Sequence, residues 1–399
     1  MAAQPPFVGS GGLEDVSAFS PADVWGVGGV FTQADQIGHT LIQHFDGTSW
    51  STQASPDGPG GAPQSSLSGV SAVAADDAWA VGTYVRPDNL VRTLIAHWDG
   101  VSWTRVKSPN AGQPAGGQLD DVTAVATDDV WAVGSYGQGA PSRTLIEHWD
   151  GTAWSVVPSP NKGPFPNSLS AIDAVAPDDI WAVGTWFTKA FVDRTLTLHW
   201  DGASWQRVKS PNAGRSATAN DLVAIAAVAA DDVWAVGIRG LRTLTMHWDG
   251  SAWSVMPSPT PGGNADLAGV VALAPDDVWA VGGRVDRQEN AIQTLVEHWD
   301  GAAWSVVASA NKGPSDNHLW AVTAAPGRMI AVGDRFVGSG LGSLAPLILE
   351  RCAPEVLTGR QPGQAHPVSA APPTIAPCPL SVSRPTSSPP VTSRRRSRS

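Results

Sequence analysis

A chain of 399 residues with 42 Gly and 33 Pro gives about 19% of its length to helix-breaking residues, which excludes an all-helical bundle. Its formal charge of −11 hides a division: residues 351–399 hold 7 Arg and 1 Glu, leaving 18 basic and 35 acidic residues in the body. An acidic body repels phosphate backbones, so the folded part is not expected to bind nucleic acid, and only the tail would attract it.

No run of 18 apolar residues is present, which argues against a transmembrane helix. The start, MAAQPPFVGSGG, shows no charged region leading into an apolar one, so no secretory signal is read there. Both cysteines, Cys352 and Cys378, lie beyond the Trp-rich region, so the body needs no disulfide and offers no thiolate metal cluster.

Nineteen Trp stand beside 2 Tyr and 8 Phe, which points to one phrase copied many times. The phrase DVWAVG, or a close variant, places Trp at 25, 79, 131, 181, 234 and 279, and RMIAVG puts Ile330 there in the last copy. A second phrase, TLIEHWDGTAWSVV in its third occurrence, follows each of the first six and contributes Trp50, Trp103, Trp154, Trp205, Trp253 and Trp304. Trp98, Trp149, Trp200, Trp248 and Trp299 precede Asp-Gly, while Trp186 and Trp320 stand outside these series.

Each copy reads as four short strands. In the third, Leu119–Ala126 is followed by a turn at Asp128-Asp129, then Val130–Gly134, then Thr144–Trp149. Asp150-Gly151, a two-residue hairpin signal, leads to Trp154–Val157. Four strands in about 50 residues is the signature of a propeller blade. The expectation is an all-β, seven-bladed β-propeller of four-stranded antiparallel blades over 1–358, with a disordered Pro/Ser/Arg-rich tail over 359–399. For the last copy, the closing strands are either Leu347–Arg351 with Val356–Thr358, or an outer strand lent by Phe7–Ser10.

Spacing within the copies separates two faces. From the first-strand Leu (13, 67, 119, 169, 222, 267) to the second-strand Trp is always 12 residues, and from the third-strand Thr to the fourth-strand Trp always 10. Length varies only in the other two connections, which an up-and-down blade sends to the opposite face, where binding loops are usually carried. Residues unique to those loops are the candidate binding set: Tyr84, Arg86, Tyr136, Trp186, Phe187, Arg284, Arg287, Arg335 and Phe336. Trp186 is the one Trp inside such a connection, which makes the fourth copy the first choice for a contact site.

The repeated polar residues read as scaffold. One His per copy (His44, His97, His148, His199, His247, His298) places the imidazoles on different spokes, too far apart to share a metal with bonds of about 2 Å. A hydrogen bond locking the third strand is the expected role. The Asp pairs at 76–77, 128–129, 178–179, 231–232 and 276–277 fit turn chemistry. Arg92, Arg143, Arg194 and Arg242 precede the third-strand Thr and are expected to pair with carboxylates. Repeated Trp fit inter-blade packing better than a series of sugar platforms. Neither a metal nor a cofactor is expected.

Laid out this way, the copies resemble the kelch-type repeat: an apolar strand ending in Gly-Gly (WGVGG at Trp25–Gly29, WAVGG at Trp279–Gly283), an acidic-aromatic strand end (EHWDG), then Trp after a short hairpin. They look most like Trp-rich, often exported bacterial propeller repeats allied to kelch and galactose-oxidase folds. They depart from kelch in using His-Trp-Asp-Gly where Tyr-Asp is commoner. An Asp-box would need five residues from Asp to Trp, and here Asp150 to Trp154 is four. The resemblance implies a monomeric binding or scaffolding protein for a protein or peptide, and suggests an extracellular or cell-surface setting. The alternatives are a multivalent glycan-binding propeller and a carbohydrate-active enzyme on the same fold. The enzyme is disfavoured because no Cys lies in the body for a Tyr–Cys copper centre, and no Gly-rich phosphate loop or nucleophile elbow is present.

Overall fold

The computed structural model describes residues 9–352, apart from 61, 110, 112–115, 138–140, 314 and 339–342. The Val356–Thr358 strand, the tail over 359–399 and Phe7 lie outside the described residues. What is described is a β-propeller built almost wholly of strands; its one helical element is a single 3-10 turn, Pro261–Gly263.

The third copy forms strands Gly117–Ala126, Asp129–Tyr136, Arg143–Trp149 and Trp154–Val156, an antiparallel meander running from the centre outward. The Thr-Leu-Ile and Val-Trp-Ala-Val runs are buried on both sides, because each sheet is covered by its neighbours. Leu13, Leu67, Leu119, Leu169, Leu222 and Leu319 are all fully buried. The second-strand Trp are nearly so, from 1% exposed at Trp25 to 5% at Trp279. Burying about 200 Å² of each indole gives a gross transfer term of about 5 kcal/mol per Trp. The Trp series is therefore packing: Trp79 meets Trp149 and Trp154 of the next copy at 5.0 and 5.4 Å, and Trp131 meets Trp200 and Trp205 at 4.9 and 5.8 Å.

The expectation of a seven-bladed ring of four-stranded blades is corrected. Hydrogen bonding sorts the strands into six sheets: four of four strands, one of eight and one of three. Among the described residues five sheets hold complete four-strand ladders, so five blades are shown and not seven. The eight-stranded sheet joins the first two copies through a parallel bridge between Gly38 and Gln64, which approach closely because Gly38 has no side chain; a Cβ there would lie 3.1 Å from Gln64 Cγ. The three-stranded sheet comprises Asn317–Ala325, Arg328–Val337 and Ser343–Cys352. Its last strand contains the expected Leu347–Arg351, but Cys352-Ala353 stands where the other copies have Asp-Gly, so the hairpin signal is missing. Ser10 lends no outer strand; it begins the innermost strand, Ser10–Ser20, and pairs with Phe31.

The first and last described copies pack together. Leu13, Val24 and Trp50 share a core with Ala321, Ile330 and Ile348, and Arg328 Nη1 donates to the Pro21 carbonyl at 2.9 Å. A repeated strut joins neighbouring inner strands. Ser17 Oγ accepts from Ala72 N, Ser71 Oγ from Ala124 N and Asp173 Oδ2 from Ala227 N, at 3.1, 3.1 and 2.8 Å. The same strut links last to first, Thr323 Oγ1 accepting from Ala18 N at 3.2 Å.

The two fixed connections of each copy abut each other, which explains their constant length. Each hairpin Gly has positive φ, +85° at Gly151, and a Cβ there would lie 2.9 Å from Asp128 Cβ in the neighbouring turn. Asp150 Oδ1 accepts from the amides of Thr152 and Ala153, both at 2.9 Å, and these bonds with that of the Thr152 hydroxyl hold its carboxyl down at about 2.

Candidate functional site: the mouth of the central channel

All seven described inner strands carry a bulge directly after the buried Leu. Pairing steps from Leu13 to Asp15, Leu67 to Gly69, Leu119 to Asp121, Leu169 to Ala171, Leu222 to Ala224, Leu267 to Gly269 and Leu319 to Ala321. The skipped residues are Glu14, Ser68, Asp120, Ser170, Val223, Ala268 and Trp320. A bulge re-aims the side chain of its extra residue, and here all of these residues line the central channel.

At the variable-loop end the channel opens into a bowl of about 950 Å³. Its wall includes Glu14, Asp120, Asp266, Asp334, Phe31, Trp320 and Leu344, and no Lys or Arg is among its described lining residues. Trp320 is 40% exposed; its Nε1 donates to Asp334 Oδ2 at 2.7 Å and its ring lies 3.9 Å from that of His318. His318 Nε2 is in turn 2.9 Å from Asp266 Oδ2. Below the bowl the channel narrows to about 140 Å³, lined in part by Glu14, Asp15, Asp120 and Asp121.

These carboxyls are held away from their usual range. Desolvation raises Asp120 to about 7, with repulsion from Glu14 adding to it. Desolvation raises Glu14, with Asp334 adding repulsion, and raises Asp15 to about 7 against the pull of the Val70 and Val16 amides. Asp121 goes well above its ordinary value through burial and then the charge of Asp15. A narrow site crowded with acids and without a neighbouring cation is electrostatically suited to a cationic group.

The sequence-chosen loop residues lie elsewhere, each at the variable end of its own copy, and none of the nine is among the described residues lining the bowl. Tyr84 is half-buried beside Gly58, and Arg86 pairs with Asp88 at 3.0 Å on an exposed loop. Tyr136 is half-buried on the core around Leu119. Trp186 packs at the edge of a core containing Ile172, with Lys162 Nζ 5.7 Å from its ring centroid, and the Phe187 amide donates to the Pro166 carbonyl at 2.9 Å. Arg284 donates to Gln293 Oε1, and Arg287 is exposed. Arg335 is half-buried, and the neighbouring Phe336 amide donates to the Asp316 carbonyl at 2.8 Å. The fourth copy does present an exposed aromatic: Phe191 is 69% exposed and lies edge-on to Phe165.

The repeated polar groups form a regular framework. Each repeated His meets the Asp that opens the second strand, His44 with Asp23 and His199 with Asp179 both at 2.7 Å, while its ring lies on the second-strand Trp. Among the described residues no group of three or more His, Cys, Asp or Glu is placed to hold a metal ion. The Arg series differs from expectation in two copies: Arg143 and Arg194 hold loop carbonyls, Gly163 and Thr218, while in the same position His39 bonds Asp57 and Asp35 and Gln293 donates to Glu289 Oε2.

The bulge residues escaped the loop-based search. One signal was present in the sequence: the residue after the buried first-strand Leu varies freely among Glu, Ser, Asp, Val, Ala and Trp, while the Leu before it and the Val or Ile two positions after it repeat.

No protein-family model and no curated protein matches this chain, so the kelch-type resemblance has no family match behind it. Solved structures do share the fold. YCF48 from Cyanidioschyzon merolae superposes with a TM-score of 0.53 at 17% identity, covering 87% of this chain and 97% of that one. A structure described as YCF48 bound to D1 peptide gives 0.53 at 14%, covering 90% and 97%. The GH74 xyloglucanase from Xanthomonas campestris gives 0.52 at 12%, covering 86% of this chain and 55% of the enzyme. At these identities the likeness establishes the β-propeller fold alone.

Proposed function

We propose that this chain is a binding protein whose variable-loop face receives a protein or peptide segment, with a Lys or Arg side chain of that segment entering the channel mouth. The observation that carries this reading is the bowl itself: four carboxyl residues, an exposed Trp320 and no Lys or Arg in the described wall. A cation seated between Glu14 and Asp120 relieves their mutual repulsion, while Phe31, Leu344 and Trp320 cover its aliphatic stem. The structure described as YCF48 bound to D1 peptide has the same fold with a peptide partner, which supports a peptide occupant. The exposed loop residues, Arg86, Arg287 and Phe191 among them, would then meet the flanking parts of the partner.

Titration calorimetry with short peptides differing only in a central Lys, Gln or Glu tests this. The Lys peptide is expected to bind at least tenfold more tightly, with affinity falling as salt rises. The doubly substituted Glu14→Gln, Asp120→Asn chain is expected to lose that preference. Equal affinity for the Gln peptide overturns the reading.

Trp320 beside carboxyl groups also favours a second reading, a single carbohydrate site in the same bowl. A glycan array probed with the intact chain and with Trp320→Ala separates the two. Spots lost in the variant would support the sugar.

A further inference from the structure

A second contact site lies on the loop between the second and third strands of the fourth copy. In four copies the residue four places before the third-strand Thr has positive φ: Gln36 at +61°, Asn89 at +62°, Phe191 at +54° and Asn290 at +52°. The second and fourth copies share the turn. The Phe191 amide donates to the Thr188 carbonyl at 2.9 Å, as the Asn89 amide does to the Arg86 carbonyl at 2.8 Å. Asn enters the left-handed region readily and a bulky aromatic does not, because its Cβ crowds the following carbonyl. Phe191 nevertheless occupies the position in the fourth copy, and at 69% exposed it gains little from packing within the fold. A strained and exposed aromatic at one place in a repeat points to a contact outside the chain.

Its surroundings are basic. Phe165 meets Phe191 edge-on at 6.1 Å, and Lys162 Nζ lies 5.7 Å from the Trp186 ring centroid. Lys189 is exposed two residues before Phe191. Arg143 brings a third cation to the same loop, its Nη1 donating to the Gly163 carbonyl at 3.0 Å. Residues 158–170 and 186–192 contain Lys162 and Lys189 and no Asp or Glu, in a body with 35 acidic and 18 basic residues. Asp193, next along the chain, is half-buried with its Oδ1 enclosed. None of these residues is among the described residues lining the bowl.

We propose that this patch binds an acidic segment of a partner protein, with an aliphatic side chain against Phe191 and carboxylates facing Lys162 and Lys189. An apolar anchor flanked by charges of one sign makes a contact hot spot, and the lysines set the sign of the partner. An anionic membrane also suits an exposed Phe between lysines. A membrane, however, would lie against Glu14, Asp120, Asp266 and Asp334, which open on the same face and repel it, whereas a peptide touches the loop alone. The proposal is independent of the cation site in the bowl.

The probe is a fluorescein-labelled octapeptide, EDELLEDE, titrated with the full chain by anisotropy. Saturable binding is expected. Replacing both peptide Leu by Ser should weaken it about tenfold, and replacing its acids by Gln and Asn about fivefold. Phe191→Asn should weaken it about tenfold while the melting temperature holds or rises, since Asn is what the second and sixth copies carry at this position. Lys162→Gln with Lys189→Gln should reproduce the loss seen with the neutral peptide and show no further loss with it. Glu14→Gln, Asp120→Asn should not weaken binding. The peptide changes leave the protein untouched, so they decide the matter even if a variant fails to fold. Absence of saturable binding, indifference to Phe191→Asn, or loss in the bowl variant alone would overturn the proposal. So would Phe191-dependent sedimentation with phosphatidylcholine–phosphatidylglycerol vesicles by a chain that ignores the peptide, which would assign the loop to a membrane.

Discussion

His148 Nε2 and Asp129 Oδ1 lie 2.7 Å apart, and the His148 imidazole is stacked on Trp131 with centroids 4.0 Å apart. Asp129 Oδ1 also accepts from Trp131 Nε1 at 2.7 Å, so one carboxylate oxygen binds two strands of the sheet together. Because the residues sit on adjacent strands in register, Trp131 opposite His148, the arrangement pins the third strand to the second at the end nearest the fixed turns. His148→Ala is expected to cost about 1–3 kcal/mol, since it removes a charge-assisted bond and exposes one face of the indole. Chemical denaturation followed by Trp fluorescence measures this, and a cost below about 0.5 kcal/mol would show the pair to be incidental.

Glycine positions of equal φ should differ in cost. Gly151 and Gly163 both have positive φ, +85° and +69°, but an added Cβ meets Asp128 Cβ at 2.9 Å in the first and open space in the second. Gly163→Ala is expected to cost about 1 kcal/mol from backbone strain alone. Gly151→Ala adds the clash between abutting turns and should cost about 2–3 kcal/mol. Equal losses of stability would contradict the packing of the two fixed turns.

Glu297 gives the fold a pH dependence with a definite sign. Its carboxyl is fully buried, both oxygens lack partners, and burial pushes its pKa up to about 8. A carboxyl raised in the folded state binds its proton more tightly there than in the unfolded chain. Its contribution is therefore fully present below the ordinary value of 4.5 and is lost as pH rises toward 8. Glu297→Gln cannot ionise. The variant should melt a few degrees above the parent at pH 8.5 and lose that advantage at pH 4.5, as read by calorimetry.

Closure of the ring rests partly on Thr323, whose hydroxyl receives the Ala18 amide across the junction of first and last inner strands. Thr323→Val keeps the shape and removes the acceptor, at a cost of about 1–2 kcal/mol. Hydrogen exchange at the Ala18 amide should quicken more than at Ala124, whose acceptor Ser71 is untouched. Uniform change across both amides would mean that the junction is no weaker than the rest.

Trp320 should report on the bowl. Its exposure of 40% contrasts with 1–5% for the second-strand Trp, so iodide should quench a minor fraction of the fluorescence, and Trp320→Ala should reduce that fraction, the half-buried Trp98, Trp149, Trp186, Trp200 and Trp248 supplying the remainder. The melting temperature should fall as well, because the ring still buries more than half of its surface against His318 and bonds Asp334. Any ligand of the bowl should protect the same fraction from iodide.

Much of this molecule was legible from residue order. Strand positions in the third copy and the constant turns follow from local patterns: alternation, Asp-Gly, and fixed steps between Leu, Trp and Thr. A bond from His148 that locks the third strand was expected, but its partner Asp129, read as a turn residue, emerged only from the pairing of the strands. The separation of the two faces followed as well, because only one pair of connections varies in length. Other features required the strands to be paired. That Glu14, Asp120 and Trp320 share one channel depends on a bulge, and a bulge is a mismatch of register between two strands that neither strand shows alone. The joining of the first two copies depends on the close approach of Gly38 to Gln64, across a turn of chain with no sequence signature. Repetition in the sequence determined the scaffold; strand pairing decided which side chains of different copies meet at the channel mouth, because that meeting depends on register and not on residue order.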